Sequence, residues 1–149
     1  MANIVLQGAA ALTLDGKGRL AVPSRHRELL TTMGVSHLTV TKNIGRSLLV
    51  YPRPAWEAFS ERLAALPADA NPYKRLLLGN ASEVEIDASG RILVSPELRK
   101  FAGLERDVML LGLGNHFELW DDARHTEAED RLLEAELPGP VKNLRFCCP

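Results

Sequence analysis

Asp15-Gly16-Lys17-Gly18-Arg19-Leu20-Ala21-Val22 returns 72 residues later as Asp87-Ala88-Ser89-Gly90-Arg91-Ile92-Leu93-Val94, with Asp, Gly, Arg and Val in register. The residues leading into each copy alternate, Leu12-Thr13-Leu14 and Val84-Glu85-Ile86, as a strand with one buried face does. Each copy continues into a strand and then a short helix. Pro23 and Pro96 fall where a first helical turn tolerates a missing N–H, Ser95 is placed to cap the second helix, and Gly34 and Gly103 suit a helix stop.

The parallel extends further. His37-Leu38-Thr39-Val40 and Ser47 to Tyr51 flank one turn, and Asp107 to Leu111 and Phe117 to Trp120 flank another, so each half adds a hairpin. A helix follows in both halves: Ala55 to Leu66, with Trp56, Phe59 and Leu63 on one face, and Asp121 to Glu136, with Leu132 and Leu133 near its end. Pro67 to Pro72 reads as a linker, with Asn71 capping a short helix through Leu78. The chain therefore divides into a first unit over 8–53, linker helices over 54–80, a second unit over 81–124, and a C-terminal helix and tail over 125–149. The fold class is α+β with a pseudo-twofold. Two halves of about 70 residues are each marginal alone, so pairing their apolar faces in one core is the physical solution.

In Asp-x-x-Gly-Arg the carboxylate can accept from backbone N–H groups two or three residues on, and Gly can supply a positive φ. The Arg adds nothing to turn geometry, yet it recurs in both copies. Two roles are open to it: an Asp–Arg pair that staples the turn, or a guanidinium projecting toward a ligand, where five planar donors suit guanine or phosphate. On the second reading Arg19 contacts nucleic acid, Lys17, Arg25 and Arg27 meet phosphates, and Asp15 fixes the turn. The second copy, Asp87 and Arg91, is less basic, with Glu97 between Arg91 and the pair Arg99 and Lys100.

Charge distribution permits this. The 149 residues carry a net charge of −1, which alone argues against coating a polyanion. Glu118 to Glu136, however, hold eight carboxylates against two arginines, a local −6, whereas Asp15 to Arg27 sum to +3. A basic edge coexists with an acidic helix. A composition of 46% hydrophobic and 25% charged residues fits a soluble globular chain. No apolar run reaches the roughly 18 residues of a membrane span, and Gln7, Gly8 and Thr13 interrupt any signal-peptide core. The two cysteines, Cys147 and Cys148, are adjacent near the C-terminus and suit neither a disulfide framework nor a zinc motif, which points to a reducing, cytoplasmic setting.

Other chemistries find little support. His26, His37, His116 and His125 are scattered, without metal-ligand spacing. Ser24 and Ser95 lack a nucleophile elbow, Gly112-Leu113-Gly114 lacks the third glycine of a dinucleotide loop, and Lys17 follows Gly16 outside any P-loop framework. No cofactor is expected, and an enzyme is disfavoured because no acid–base pair or nucleophile presents itself. Trp56, Trp120 and Tyr51 sit at core-like positions rather than among the basic residues, which favours duplex over single-stranded nucleic acid.

Asp15 to Pro23, Leu48-Leu49-Val50-Tyr51-Pro52, Arg75-Leu76-Leu77-Leu78-Gly79 with Ala81-Ser82, and Phe117-Glu118-Leu119-Trp120 together resemble the MraZ family, over Gly8 to about Leu137. The resemblance implies an AbrB-like swapped-hairpin β-barrel, ring-shaped homo-oligomers, nucleoid association, and binding to direct repeats in the promoter of a division and cell-wall gene cluster that begins with the regulator's own gene. By the same resemblance Asp15 and Arg19 fall on the first family signature and Asp87 and Arg91 on the second, with Arg19 the stronger DNA contact. The chain departs from the family at Gln7, where an Arg is common, and over Lys142 to Pro149. The alternative is a protein-interaction module, antitoxin-like or scaffold, on the same fold.

Overall fold

The computed structural model describes residues 5–144; Cys147, Cys148 and the tail from residue 145 lie outside the described residues. The elements are β1 (Leu6–Thr13), β2 (Arg19–Ala21), α1 (Ser24–Thr32), β3 (His37–Lys42), β4 (Leu48–Pro52), α2 (Arg53–Ala64), a 3-10 turn (Ala68–Ala70), α3 (Asn71–Leu77), β5 (Ser82–Glu85), β6 (Arg91–Leu93), α4 (Pro96–Ala102), β7 (Asp107–Gly114), β8 (Phe117–Asp121), α5 (Asp122–Glu134) and α6 (Gly139–Lys142). The fold is α+β, with six strands in one antiparallel sheet of order β1-β7-β8-β4-β3-β5 and β2 paired with β6 in a separate ribbon.

That order reads the same from either end when the halves are exchanged. β4 meets β8 at the centre, β1 pairs with β7 of the second half, and β5 pairs with β3 of the first. Each half thus gives its first strand to the other. The closed barrel implied by the family resemblance is not found among the described residues, because the sheet ends on β1 and β5. The tight turn at Asp15 lifts the three-residue β2 off β1, so its N–H groups bond β6 instead.

Alternation decides the layers. Leu48 and Val50 of β4 face one core with Leu20, Val22, Leu30, Ile92, Val94, Leu98, Leu110, Phe117 and Leu119, residues drawn from both halves. Leu49 and Tyr51 face the opposite side, where Trp56, Phe59 and Leu63 of α2 and Leu77 of α3 cover them. Every residue of β4 is consequently buried. The ribbon, α1 and α4 lie over the first core.

The capping signals divide. Ser95 Oγ accepts from Leu98 N–H at 3.3 Å, and Gly103 closes α4 at φ 65°, as its position implies. Asn71 does not cap: the 3-10 turn runs directly into α3, which starts at Asn71 with Ala70 before it. α5 buries no residue, and Leu132 and Leu133 are 69% and 78% exposed.

His26 is 1% exposed in α1, edge-on to Phe117 at 4.9 Å, and neither ring nitrogen has a hydrogen-bond partner among the described residues. Its counterpart 72 residues on is Leu98. Burial, aided by the charge of Arg25, lowers the His26 pKa below 6.5. The unfolded chain therefore binds the extra proton, and stability present above pH 6.5 is lost as pH falls below it. A buried unpaired polar group costs about 1–3 kcal/mol, so His26→Leu is expected to raise Tm at neutral pH and to flatten its fall between neutral and acidic buffer. A Tm unchanged or lowered at both pH values would show that the imidazole is better accommodated than its missing partners imply.

Candidate nucleic-acid interface

The two repeated turns are built alike. Asp15 Oδ1 accepts from the backbone N–H of Lys17 and of Arg19, each at 2.9 Å, and the backbone closes with Asp15 N–H to Arg19 O and Gly18 N–H to Asp15 O, both 3.0 Å. Asp87 repeats this with Ser89 and Arg91, again at 2.9 Å. The Arg19 backbone N–H foremost, then the Arg19 side chain and Lys17 N–H, hold the Asp15 carboxyl down from 3.8 to about 2, against a smaller opposing effect of burial. Asp87 is lowered too, led by the Arg91 N–H. For the first turn, the carboxylate's contribution to stability is complete above pH 3.8 and fades toward about pH 2.

Both arginines lean on their own Asp, as the staple reading expects. Arg19 Nε donates to Asp15 Oδ2 at 2.6 Å. Arg91 Nε stands 3.5 Å from Asp87 Oδ2, an ion-pair distance without a hydrogen bond, which leaves that buried nitrogen unsatisfied. Each pair engages Nε. The terminal nitrogens of Arg19 and Arg91 have no hydrogen-bond partner among the described residues, so stapling the turn and presenting a guanidinium are compatible.

The ribbon brings the two turns together. In β2–β6, Arg19 pairs with Leu93, Leu20 with Ile92 and Ala21 with Arg91. Leu20 and Ile92 face the core, which puts Arg19, Ala21, Arg91 and Leu93 on the outer face. Arg19 and Arg91 are diagonal neighbours there, with backbones about 7–8 Å apart. Val22 N–H to Gly90 O and Val94 N–H to Gly18 O, both 2.9 Å, extend the pairing into the turns.

The helices add further cations. Arg27 Nε donates to Val22 O at 2.9 Å, and Arg99 Nε donates to Val94 O at 3.0 Å. The Arg27 side chain lies against Gly90 and the Arg99 side chain against Gly18. Arg25, two residues before Arg27 and so on another side of α1, lies instead against Gly8 of β1. Lys17 sits exposed on the turn itself. Sequence reasoning passed over Arg99 as a contact, although it stands 72 residues from Arg27 at the spacing of the repeat.

Comparison with known proteins places the chain in a family. A family model described as "MraZ protein, putative antitoxin-like" matches the chain twice, over residues 5–78 and 77–144. The chain belongs to the MraZ family. Proteins named Transcriptional regulator MraZ are 56% identical in Methylibium petroleiphilum, over 98% of this chain and 100% of that protein, and 52% identical in Ralstonia pickettii, over 95% and 100%. The one from Acidovorax sp. is 53% identical over 95% and 100%. Among the described residues no helix is long and apolar enough to cross a membrane, and no cluster of His, Cys, Asp and Glu could hold a metal ion.

Proposed function

We propose that the protein is a transcriptional regulator that binds duplex DNA sequence-specifically through the outer face of the β2–β6 ribbon. The observation that carries this is the placement of Arg19 and Arg91 side by side on one exposed surface, each oriented by its own carboxylate. Arg19 and Arg91 address base edges, Asp15 and Asp87 aim them, and Lys17 and Arg27 hold backbone phosphates. Arg25, whose side chain lies against Gly8 of β1, is left out of this contact set. The names of the relatives support the regulatory role. The exchange of first strands between the halves supports an AbrB-like swapped-hairpin affinity.

In this reading the chain forms a ring-like homo-oligomer on direct repeats in the promoter of its own division and cell-wall gene cluster, represses that cluster, and resides on the nucleoid in the cytoplasm. The exposed Leu132, Leu133, Leu137 and Leu144 support self-association. Subunits reading repeats about one helical turn, ~10 bp, apart would multiply weak single contacts.

The test is a salt titration of binding to duplex from upstream of the protein's own gene, beside a scrambled duplex. A preference of ~10³ or more for the native duplex, with affinity falling steeply as salt rises, is the expected result. Equal, weak binding to both would leave the Asp–Arg pairs as turn staples. The family description as antitoxin-like would then favour a protein partner.

A further inference from the structure

Arg27 and Arg99 are mounted in one half of the chain and laid over the other. Each anchors its Nε on a carbonyl of its own half, Val22 or Val94. Each then crosses to the opposite turn: a methyl group on Gly90 would come within 2.6 Å of the Arg27 guanidinium, and one on Gly18 within 2.5 Å of that of Arg99. Both glycines are buried although the residues just before them, Gly16 and Lys17 or Ala88 and Ser89, are exposed, and these side chains lie over them. Neither arginine forms an ion pair among the described residues, whereas Arg19 and Arg91 both do.

A guanidinium fixed through Nε, without an ion pair among the described residues and laid over the glycine that precedes a second arginine, suits a phosphate, since its orientation is set before the ligand arrives. With Lys17, Arg19 and Arg91, these two bring the ribbon to five cations against Asp15 and Asp87. We propose that Arg27 and Arg99 are a crossed pair of phosphate clamps: Arg99 serves the first turn beside Arg19, Arg27 serves the second beside Arg91, and together they couple the turns into one twofold surface on the DNA backbone. This rests on the ribbon being the DNA-binding face. It adds Arg99 to the contact set and assigns each clamp to the turn of the opposite half.

The crossing gives a test that a plain basic patch would not pass. Arg27→Gln and Arg99→Gln, alone and combined with Arg19→Ala or Arg91→Ala, are titrated against native and scrambled duplexes over a range of salt, with folding checked by thermal melts. Each Gln variant is expected to weaken both duplexes by the same factor and to reduce the salt slope by about 0.9 per subunit–phosphate contact, while Arg99→Lys keeps the slope. Non-additivity of threefold or more is expected for Arg99 with Arg19 and for Arg27 with Arg91, and additivity for the same-half pairs. Unchanged slopes in both Gln variants, slopes lost equally by Gln and Lys, or coupling confined to same-half pairs would overturn the clamps. Because Arg27 and Arg99 are independent positions, misfolding of one variant leaves the other to decide. Loss of native-duplex preference on Arg19→Ala with no effect of either Gln variant would reject the clamps alone, whereas no salt-dependent DNA binding by the wild type would reject the parent reading.

Discussion

Gly18→Ala is expected to lower Tm by about 5–15 °C, corresponding to about 2–4 kcal/mol in a chain of this size. Two costs add at this position. At φ +87° an L side chain is strained by about 1–2 kcal/mol. The new methyl would also lie 2.5 Å from Arg99 Nε and 2.8 Å from the carbonyl oxygen of Val94. Arg99 can swing away, losing its bond to Val94 O, but that carbonyl is main chain, held next to the Val94 N–H that bonds Gly18 O, and it cannot swing aside as a side chain can. Gly16, two residues earlier, has open space around it and no positive φ. Gly16→Ala is accordingly the matched control, expected to melt within a degree or two of wild type. Equal losses at Gly16 and Gly18 would mean that the turn needs flexibility rather than this one close approach.

Arg19→Ala is expected to separate binding from folding. The first turn is closed by Asp15 Oδ1 on two backbone N–H groups and by two backbone bonds, none involving the Arg19 side chain. The part-exposed pair with Asp15 contributes little to stability, so Tm should stay close to wild type. A well-formed bidentate base contact contributes about 1–3 kcal/mol of discrimination. Preference for native over scrambled duplex should thus fall by one to two orders of magnitude for each contacting subunit, and more where several subunits bind together. Lys17→Gln, the charge control on the same turn, should weaken both duplexes alike and leave the preference standing. A folded Arg19→Ala protein that keeps its preference would remove Arg19 from base readout and return it to the role of staple.

Much of the fold is legible wherever one residue's chemistry suffices. The Asp-x-x-Gly-Arg turns, the Ser95 cap and the Gly103 stop follow from local hydrogen bonding and φ, and the α2 stripe of Trp56, Phe59 and Leu63 follows from helical period. What escaped depends on distant partners. Most of β1 is Gln7-Gly8-Ala9-Ala10-Ala11, which has neither alternation nor strand propensity and is a strand because β7 lies beside it. Asn71 has the chemistry of a cap but stands where a preceding 3-10 turn already supplies the helix start. Leu132 looks like core by residue type, yet it is exposed on a helix that buries none of its residues. In the candidate interface, the link between Asp15 and Arg19 could be read from spacing. The diversion of Arg25 to Gly8 and the reach of Arg99 to Gly18 could not, since each is set by how a helix packs across the pseudo-twofold.

The exchange of first strands also dictates a timetable for folding. Leu6 to Thr13 find their partners only in Gly114 to Asp107, between 94 and 108 residues further along the chain. On a ribosome the N-terminal strand therefore waits, unpaired and uncharged, until most of the polypeptide has emerged, while β3 and β4 form their hairpin at once. Contacts of such long sequence separation make for slow folding. A strand made about a hundred residues before its partner is among the last to be secured, so early exposure of an alanine-rich segment is built into the birth of every molecule.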